Sequence, residues 1–379
     1  MELTVEQRAI AETAKDFAAE HLAPHAIEWD RSKHFPTDVL RKSGELGFGG
    51  VYVDARHGGS QLERPDALLL FEALATGCPA VAAYISIHNM VAWMLDTYGT
   101  DRQRAEYLPS LCDMSALGAY CLTEPGAGSD AAAISTRARR DGDSWVLDGV
   151  KQFISGAGAA DIYIVFARTG EPGAKGISAF VVPKQAPGLS FGVNESKMGW
   201  NCHPTRQVIL DGVRLPDAAL LGHEGGGFSI AMHALDGGRL NIGACSIGGA
   251  RAALTSAQQY IQERVAFGQP LADAQALRFR IAEAHTSLHA AQLLLWDAAM
   301  VLEAKRPEAT SRCAMAKRLA TDTGFEVADM ALQLHGGYGY LAETGIEKIV
   351  RDLRVHRILE GSNEIMNVII ARDLLGANG

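Results

Sequence analysis

The order of sequence patterns predicts an α+β multidomain chain. It would comprise an N-terminal α-helical domain over 1–115, a central β domain over 116–226 and a C-terminal four-helix-bundle-like α domain over 227–379. Three observations carry this expectation. Apolar residues recur with helical period up to about residue 115, short β-rich runs between turn signals fill the middle, and long Ala- and Leu-rich stretches return from Gly227. Composition agrees, because 379 residues with 59 Ala and 40 Gly, 47 % apolar and 21 % charged, give ample chain for closely packed helices around a core. The same figures exclude low-hydrophobicity disorder. A net charge of −9 disfavours a nucleic-acid binder, which needs a basic face to displace counterions from phosphates.

Taken in order, Thr4 with Gln7 forms a plausible capping box, followed by Ile10, Ala14, Phe17 and Leu22 at helical spacing. Pro36 opens a short helix that Gly44 or Gly47 stops. Apolar stretches over 65–76 and 79–98 read as buried helices, with another near 101–110. Strand runs follow at 117–122, 145–147, 150–154, 162–167, 177–182 and 207–210, and Asp148-Gly149 between two of them signals a hairpin. Helical period resumes over 227–266, 273–304 and 309–334, then in shorter pieces near 344–353 and 363–375.

The six cysteines lack CxxC spacing, so a disulfide framework or structural zinc site is not expected, and they read as small buried hydrophobes. The charged first twenty residues resemble neither an export signal nor an acid-poor transit peptide. No run approaches the ~18 apolar residues of a membrane span. These features predict a reducing compartment, either cytoplasmic or an organelle matrix after removal of a transit peptide.

Two nucleotide motifs are missing: no GxGxxG follows a strand into a helix, and no GxxxxGK[ST] occurs. His285 and His289 stand at i, i+4 without a third ligand, so no metal site is predicted. Four segments are more informative. YCLTEPGAGSD at 120–130 runs from a strand into a small-residue loop whose backbone N–H groups suit a flat polar ring or a phosphate, though an ordinary Gly-Ser turn fits equally. KQFISGAG at 151–158 offers Phe153 beside Ser155, either against a planar cofactor or as a core Phe with a turn Ser. LQLHGGYGYL at 332–341 has more glycines than a helix stop requires. In RILEGSNEIM at 357–366, Glu360 is either a solvated loop residue or, in an apolar pocket, a carboxylate whose raised pKa suits a base.

Together with ALDGGRLNIGA at 234–244 and ERVAFG followed by Gln275, these segments resemble the acyl-CoA dehydrogenase family of flavoenzymes over essentially the whole chain. The resemblance implies that family's three-domain fold, FAD as cofactor, an acyl-CoA substrate, a homotetramer and an electron-transfer flavoprotein as electron acceptor. It implies flavin contacts from Tyr120, Cys121, Leu122, Thr123, Gly128 and Ser129, and from Phe153, Ile154 and Ser155 on the other side of the ring. Arg264, Phe267 and Gln275, with Gln333, Leu334, His335, Gly336 and Gly337, would hold the pyrophosphate and adenosine half of an FAD whose ring lies in a neighbouring subunit. Ser362, Asn363 and Glu364 would complete the site. Ser129, Asp236, Gly237, Gly238, Arg239 and Arg372 would contact the acyl-CoA. Glu360 falls on the catalytic base. In the isovaleryl-type branch the base comes instead from the helix position before the motif's Arg, which here is Gly238.

Two positions depart from the pattern. Phe153 stands where many relatives carry Trp, and Ala266 replaces the usual Gln before Phe267. ISIHNM at 85–90, MGWNCHPTR at 198–206 and LEGSNEIM most resemble the branch that oxidises isobutyryl-CoA to methacrylyl-CoA in valine breakdown. Alternatives within the family are 2-methylbutyryl-CoA and straight short chains. Alternatives of another class are an acyl-CoA oxidase and a non-catalytic flavin-fold binding protein.

Overall fold

The computed structural model describes residues 2–376. The outer bounds of the first and third expected domains, residue 1 and residues 377–379, lie outside them. The chain begins with α1 (Val5–Phe17), α2 (Ala26–Ser32), α3 (Thr37–Glu45), α4 (Arg64–Gly77), α5 (Pro79–Tyr98) and α6 (Asp101–Cys112). The reciprocal Thr4–Gln7 capping box is present, at 3.2 and 3.1 Å. Thr100 and Gln103 start α6 by the same device. Helix α2 was not foreseen. It is only seven residues long, too short for a periodic pattern, and buries Trp29.

A sheet follows, built from β1 (Gly118–Cys121), β2 (Arg137–Asp141), β3 (Ser144–Ser155), β4 (Ile162–Arg168), β5 (Ile177–Pro183), β6 (Leu189–Phe191), β7 (Thr205–Pro216) and β8 (Leu220–Leu221). The order is β6-β7-β3-β2-β4-β5-β8, with β1 parallel to β4. The expected hairpin at Asp148-Gly149 is a correction: β3 runs straight through it, and Gly149 instead marks a shift of register against β7. A Cβ at Gly149 would stand 2.7 Å from Thr136 Cα, so the glycine serves close approach of backbone. The real turn lies at residues 142–143, between β2 and β3, where Gly142 has φ 61°. Strand β2 escaped notice because four of its five residues are charged and only Ala138 is buried.

The C-terminal third holds α7 (Gly227–Glu263), a short hairpin of β9 (Val265–Ala266) and β10 (Gln269–Pro270), and then α8 (Gln275–Glu303), α9 (Ala309–His335), α10 (Ile346–Arg354) and α11 (Asn363–Leu375). Helix α7 is the central post. It packs on α4 and α5 from the first third and on α8 and α9 from its own. Small residues permit this: a Cβ at Gly248 would meet Ala75 Cβ at 2.8 Å, and one at Gly324 would meet Ser246 O at 2.9 Å. All six cysteines are buried with free thiols. Among the described residues no helix is long and apolar enough to cross a membrane.

Candidate active site

The loop after β1 is fixed by a buried ion pair. Glu124 accepts hydrogen bonds from Lys151 Nζ at 2.7 Å, Ser135 N–H at 2.6 Å and Thr136 N–H at 2.9 Å. Burial pushes the carboxyl pKa up, but Lys151 and these donors outweigh it and hold it at about 2. Lys151 Nζ also donates to Leu122 O at 3.1 Å, and Gln152 N–H to Thr123 O at 2.8 Å. The Tyr120–Ser129 and Phe153–Ser155 segments are thereby brought side by side. Phe153 is not a core residue, being 63 % exposed with φ 59°, a left-handed conformation that costs on the order of 1–3 kcal/mol off glycine. The ring is thus open to solvent two residues from Ser155, next to Gln152, whose N–H holds Thr123 O. Cys121 and Ile154 turn their side chains into the core, leaving only their backbone for a ligand.

Behind these strands, α7 presents Asp236 to Arg239. Arg239 Nη1 donates to Asp236 Oδ1 at 2.6 Å, and Thr310 Oγ1 to Asp236 Oδ2 at 2.7 Å, so acid and base are buried as a satisfied pair. Arg239 Nε reaches Glu360 O at 3.2 Å. The Glu360 carboxyl then lies against Gly238: a Cβ there would collide with Oε2 and stand 2.7 Å from Met90 Sδ. Oε2 is buried, without a hydrogen-bond partner among the described residues. Burial raises the Glu360 pKa to about 8, with Lys317 and Arg239 pulling the other way. The solvated-loop alternative fails on this point. Gly238 on the helix and Glu360 on the loop thus face the same spot.

Asp236 also borders a cavity of about 680 Å³ whose wall includes Arg64, Trp93, Lys305, Arg306 and Thr310. Its wall carries three cations, Arg64, Lys305 and Arg306, against the two carboxylates of Asp236 and Glu303. Arg64 stacks 3.9 Å from the Tyr52 ring, and Tyr52 Oη donates to Asn241 Oδ1 at 2.6 Å. Arg372 is exposed on α11.

The remaining expected residues form an open surface. Arg264, Phe267, Gln275, Gln333, Gly336 and Gly337 are all exposed, Phe267 completely so. Cβ atoms at Gly336 and Gly337 would meet nothing within 4 Å, as would those at Gly126 and Gly128, so backbone amides can be approached closely at both places. Leu334 and His335 differ: both are buried, and His335 Nδ1 bonds to Ala331 O at 2.7 Å while its ring stacks on Tyr260. Their side chains are structural. Asn363 also faces inward, accepting from Lys317 Nζ at 2.9 Å and donating to Thr321 Oγ1 and Asp322 Oδ1. Ser362 occupies the N-cap position of α11 without a side-chain capping hydrogen bond, and Glu364 is exposed in the first turn.

Sequence reasoning missed Lys317, Lys151, Met90 and the Tyr52–Arg64 stack. A signal existed for the first: Lys317 falls in phase with Cys313, Ala320 and Gly324, at i, i+4, i+7 and i+11 on the buried face of α9. A charge inside an apolar stripe is a candidate for function.

Known proteins share this fold. The family profiles "Acyl-CoA dehydrogenase, N-terminal domain", "middle domain" and "C-terminal domain" match residues 4–115, 119–213 and 225–375. The mitochondrial isobutyryl-CoA dehydrogenase of Dictyostelium discoideum is 52 % identical, over 98 % of this chain and 90 % of its own. Butyryl-CoA dehydrogenase from Megasphaera elsdenii superposes with TM-score 0.96 at 36 % identity, covering 99 % of each chain. A glutaryl-CoA dehydrogenase from Mycobacterium smegmatis in complex with FADH2 does so with TM-score 0.94 at 28 % identity, covering 100 % of this chain and 96 % of its own. With three consecutive segments matched in order and the fold shared from end to end, this chain belongs to the acyl-CoA dehydrogenase family.

Proposed function

We propose that the protein is an FAD-dependent acyl-CoA dehydrogenase that converts isobutyryl-CoA to methacrylyl-CoA, with Glu360 as the base. The observation that carries this reading is the Glu360 carboxyl, buried against Gly238 and raised in pKa to about 8. The α C–H of a thioester is acidified by its carbonyl, and a desolvated carboxylate of raised basicity is matched to removing that proton near neutral pH. In this reading the backbone N–H of Glu360 would donate to the developing enolate oxygen. FAD, when bound, supplies the acceptor for the hydride that leaves the β carbon.

The chain's own residues divide the remaining work. Thr123, Ser129, Phe153 and Ser155 would cover the flavin ring, and Phe267, Arg264, Gln275, Gln333, Gly336 and Gly337 would hold the pyrophosphate and adenosine of a second cofactor belonging to a neighbouring subunit. Ser129 and the Asp236–Arg239 turn would accompany the CoA thioester, with the cavity beside Asp236 open to its polar arm, and Arg372 would contact it from α11. Assembly as a homotetramer is assigned by family resemblance, and the full exposure of Phe267 leaves that side chain free for a neighbouring subunit. We assign electron-transfer flavoprotein as the acceptor by family resemblance. Identity of 52 % to an isobutyryl-CoA dehydrogenase, against 36 % to a butyryl-CoA dehydrogenase, favours the branched substrate.

The test is anaerobic flavin bleaching with isobutyryl-, 2-methylbutyryl-, isovaleryl- and butyryl-CoA. Isobutyryl-CoA should bleach fastest, and Glu360→Gln should give a yellow, folded protein that does not bleach. Normal bleaching by that variant would sink the assignment of the base, and faster bleaching by butyryl-CoA would sink that of the substrate.

A further inference from the structure

Glu360 and Gly361 have φ of 55° and 88°, consecutive left-handed residues of which only the second is glycine. Such a turn persists only where its surroundings over-determine it. Two buried cations do so: Arg239 Nε donates to Glu360 O at 3.2 Å, and Lys317 Nζ donates to Gly361 O at 2.8 Å and to Asn363 Oδ1 at 2.9 Å. Lys317 is wholly buried, and among the described residues no carboxylate lies within ion-pair distance of its ammonium. A buried cation without a paired anion is costly and calls for a reason. The charged or titratable groups facing Glu360 are Arg239 and Cys245 on α7, Tyr120 on β1 and Lys317 on α9. Asp322 and Glu364 face Lys317 in turn. Arg239 is already matched by Asp236, so the lysine is the cation left to balance the Glu360 carboxylate.

We propose that Lys317 is a positioning residue for the reaction: it fixes the turn that aims the Glu360 carboxyl and supplies the buried positive charge facing it. The inference rests on Glu360 being the base. Burial pushes the Lys317 pKa down to about 8 and that of Glu360 up to about 8, so each is held nearer its charged form by the other.

The test is the pH dependence of the anaerobic bleaching rate with isobutyryl-CoA. Lys317→Gln keeps a donor for Gly361 O and removes the charge; Lys317→Met removes both. Each should slow bleaching at neutral pH at least tenfold and move the limb on which activity rises with pH upward by about one unit or more. High pH should restore Lys317→Gln, while Lys317→Met should stay slow because its turn is released. A folded, yellow variant whose limb stays at the wild-type pH overturns the inference, since a purely structural lysine would lower rates without moving it. Should neither variant fold, Asn363→Asp places a carboxylate beside Nζ, and an unmoved limb there overturns it equally. Bleaching by Glu360→Gln in the same series would overturn the reading of the base, and this inference with it. An inert Glu360→Gln beside an unmoved Lys317 limb would overturn this inference alone.

Discussion

At the scale of single residues, the site turns on one missing Cβ. Gly238 sits inside α7, where alanine would favour the helix by about 1 kcal/mol. The space it leaves is filled by the Glu360 carboxyl and by Met90 Sδ, both ends of flexible side chains that can yield. Gly238→Ala should therefore fold, with a melting temperature within a few degrees of wild type. Its kcat should nonetheless fall about 100-fold, because a displacement of ~1 Å in a reacting group has that effect. Equal losses of kcat and stability would place the glycine in packing instead of in the reaction. Glu360 was legible in sequence only through family resemblance, since the residues alone left a solvated loop open. What decided its environment was the arrival of α7 and α9 from far along the chain, which no local pattern encodes.

At the scale of elements, the loop after β1 and the end of β3 act as one unit because Lys151 and Glu124 join them across 2.7 Å without solvent. Removing one member of a buried pair strands the other, so Lys151→Met should destabilise the protein by about 3–5 kcal/mol. It should also loosen flavin through the displaced Thr123 and Phe153. Calorimetry with flavin fluorescence would check both, and an unchanged melt would reject the pair as the loop's anchor. The folded pKa of Glu124, about 2, lies below its ordinary value of 4.5, so its stabilisation is fully present above about pH 4.5. That contribution is lost as pH falls from there toward 2. Glu124→Gln should flatten stability over that window and leave it unchanged in slope at neutral pH. Most helices were legible because their boundaries carry local chemistry, as the Thr4 and Thr100 boxes show. The β domain was less so: Asp148-Gly149 has hairpin chemistry, but tertiary pairing of β3 with β7 and the approach of Thr136 overrode it.

At the scale of the molecule, the chain exposes an aromatic side chain that a globular fold ordinarily buries. Phe267 stands fully in solvent at φ 53° on the β9–β10 hairpin, and the Arg264 guanidinium, at the residue before that hairpin, lies 5.7 Å from the Tyr338 ring. Burying one such phenyl ring contributes about 1.5–3 kcal/mol, so a surface that withholds it implies a partner that takes it up. In the proposed assembly that partner is the cofactor of a neighbouring subunit, which couples flavin binding to association. Phe267→Ser should then weaken both together: sedimentation should show dissociation at concentrations where wild type stays assembled, and the yellow colour should be lost on gel filtration. Added FAD should reverse both, since a ligand at 100 times its Kd stabilises the form that binds it by about 2.7 kcal/mol. The Glu360 turn is built wholly within one chain by Arg239 and Lys317, so the variant's residual flavin should still bleach with substrate. A dissociated variant that keeps its full complement of flavin would separate the two events and reject the coupling.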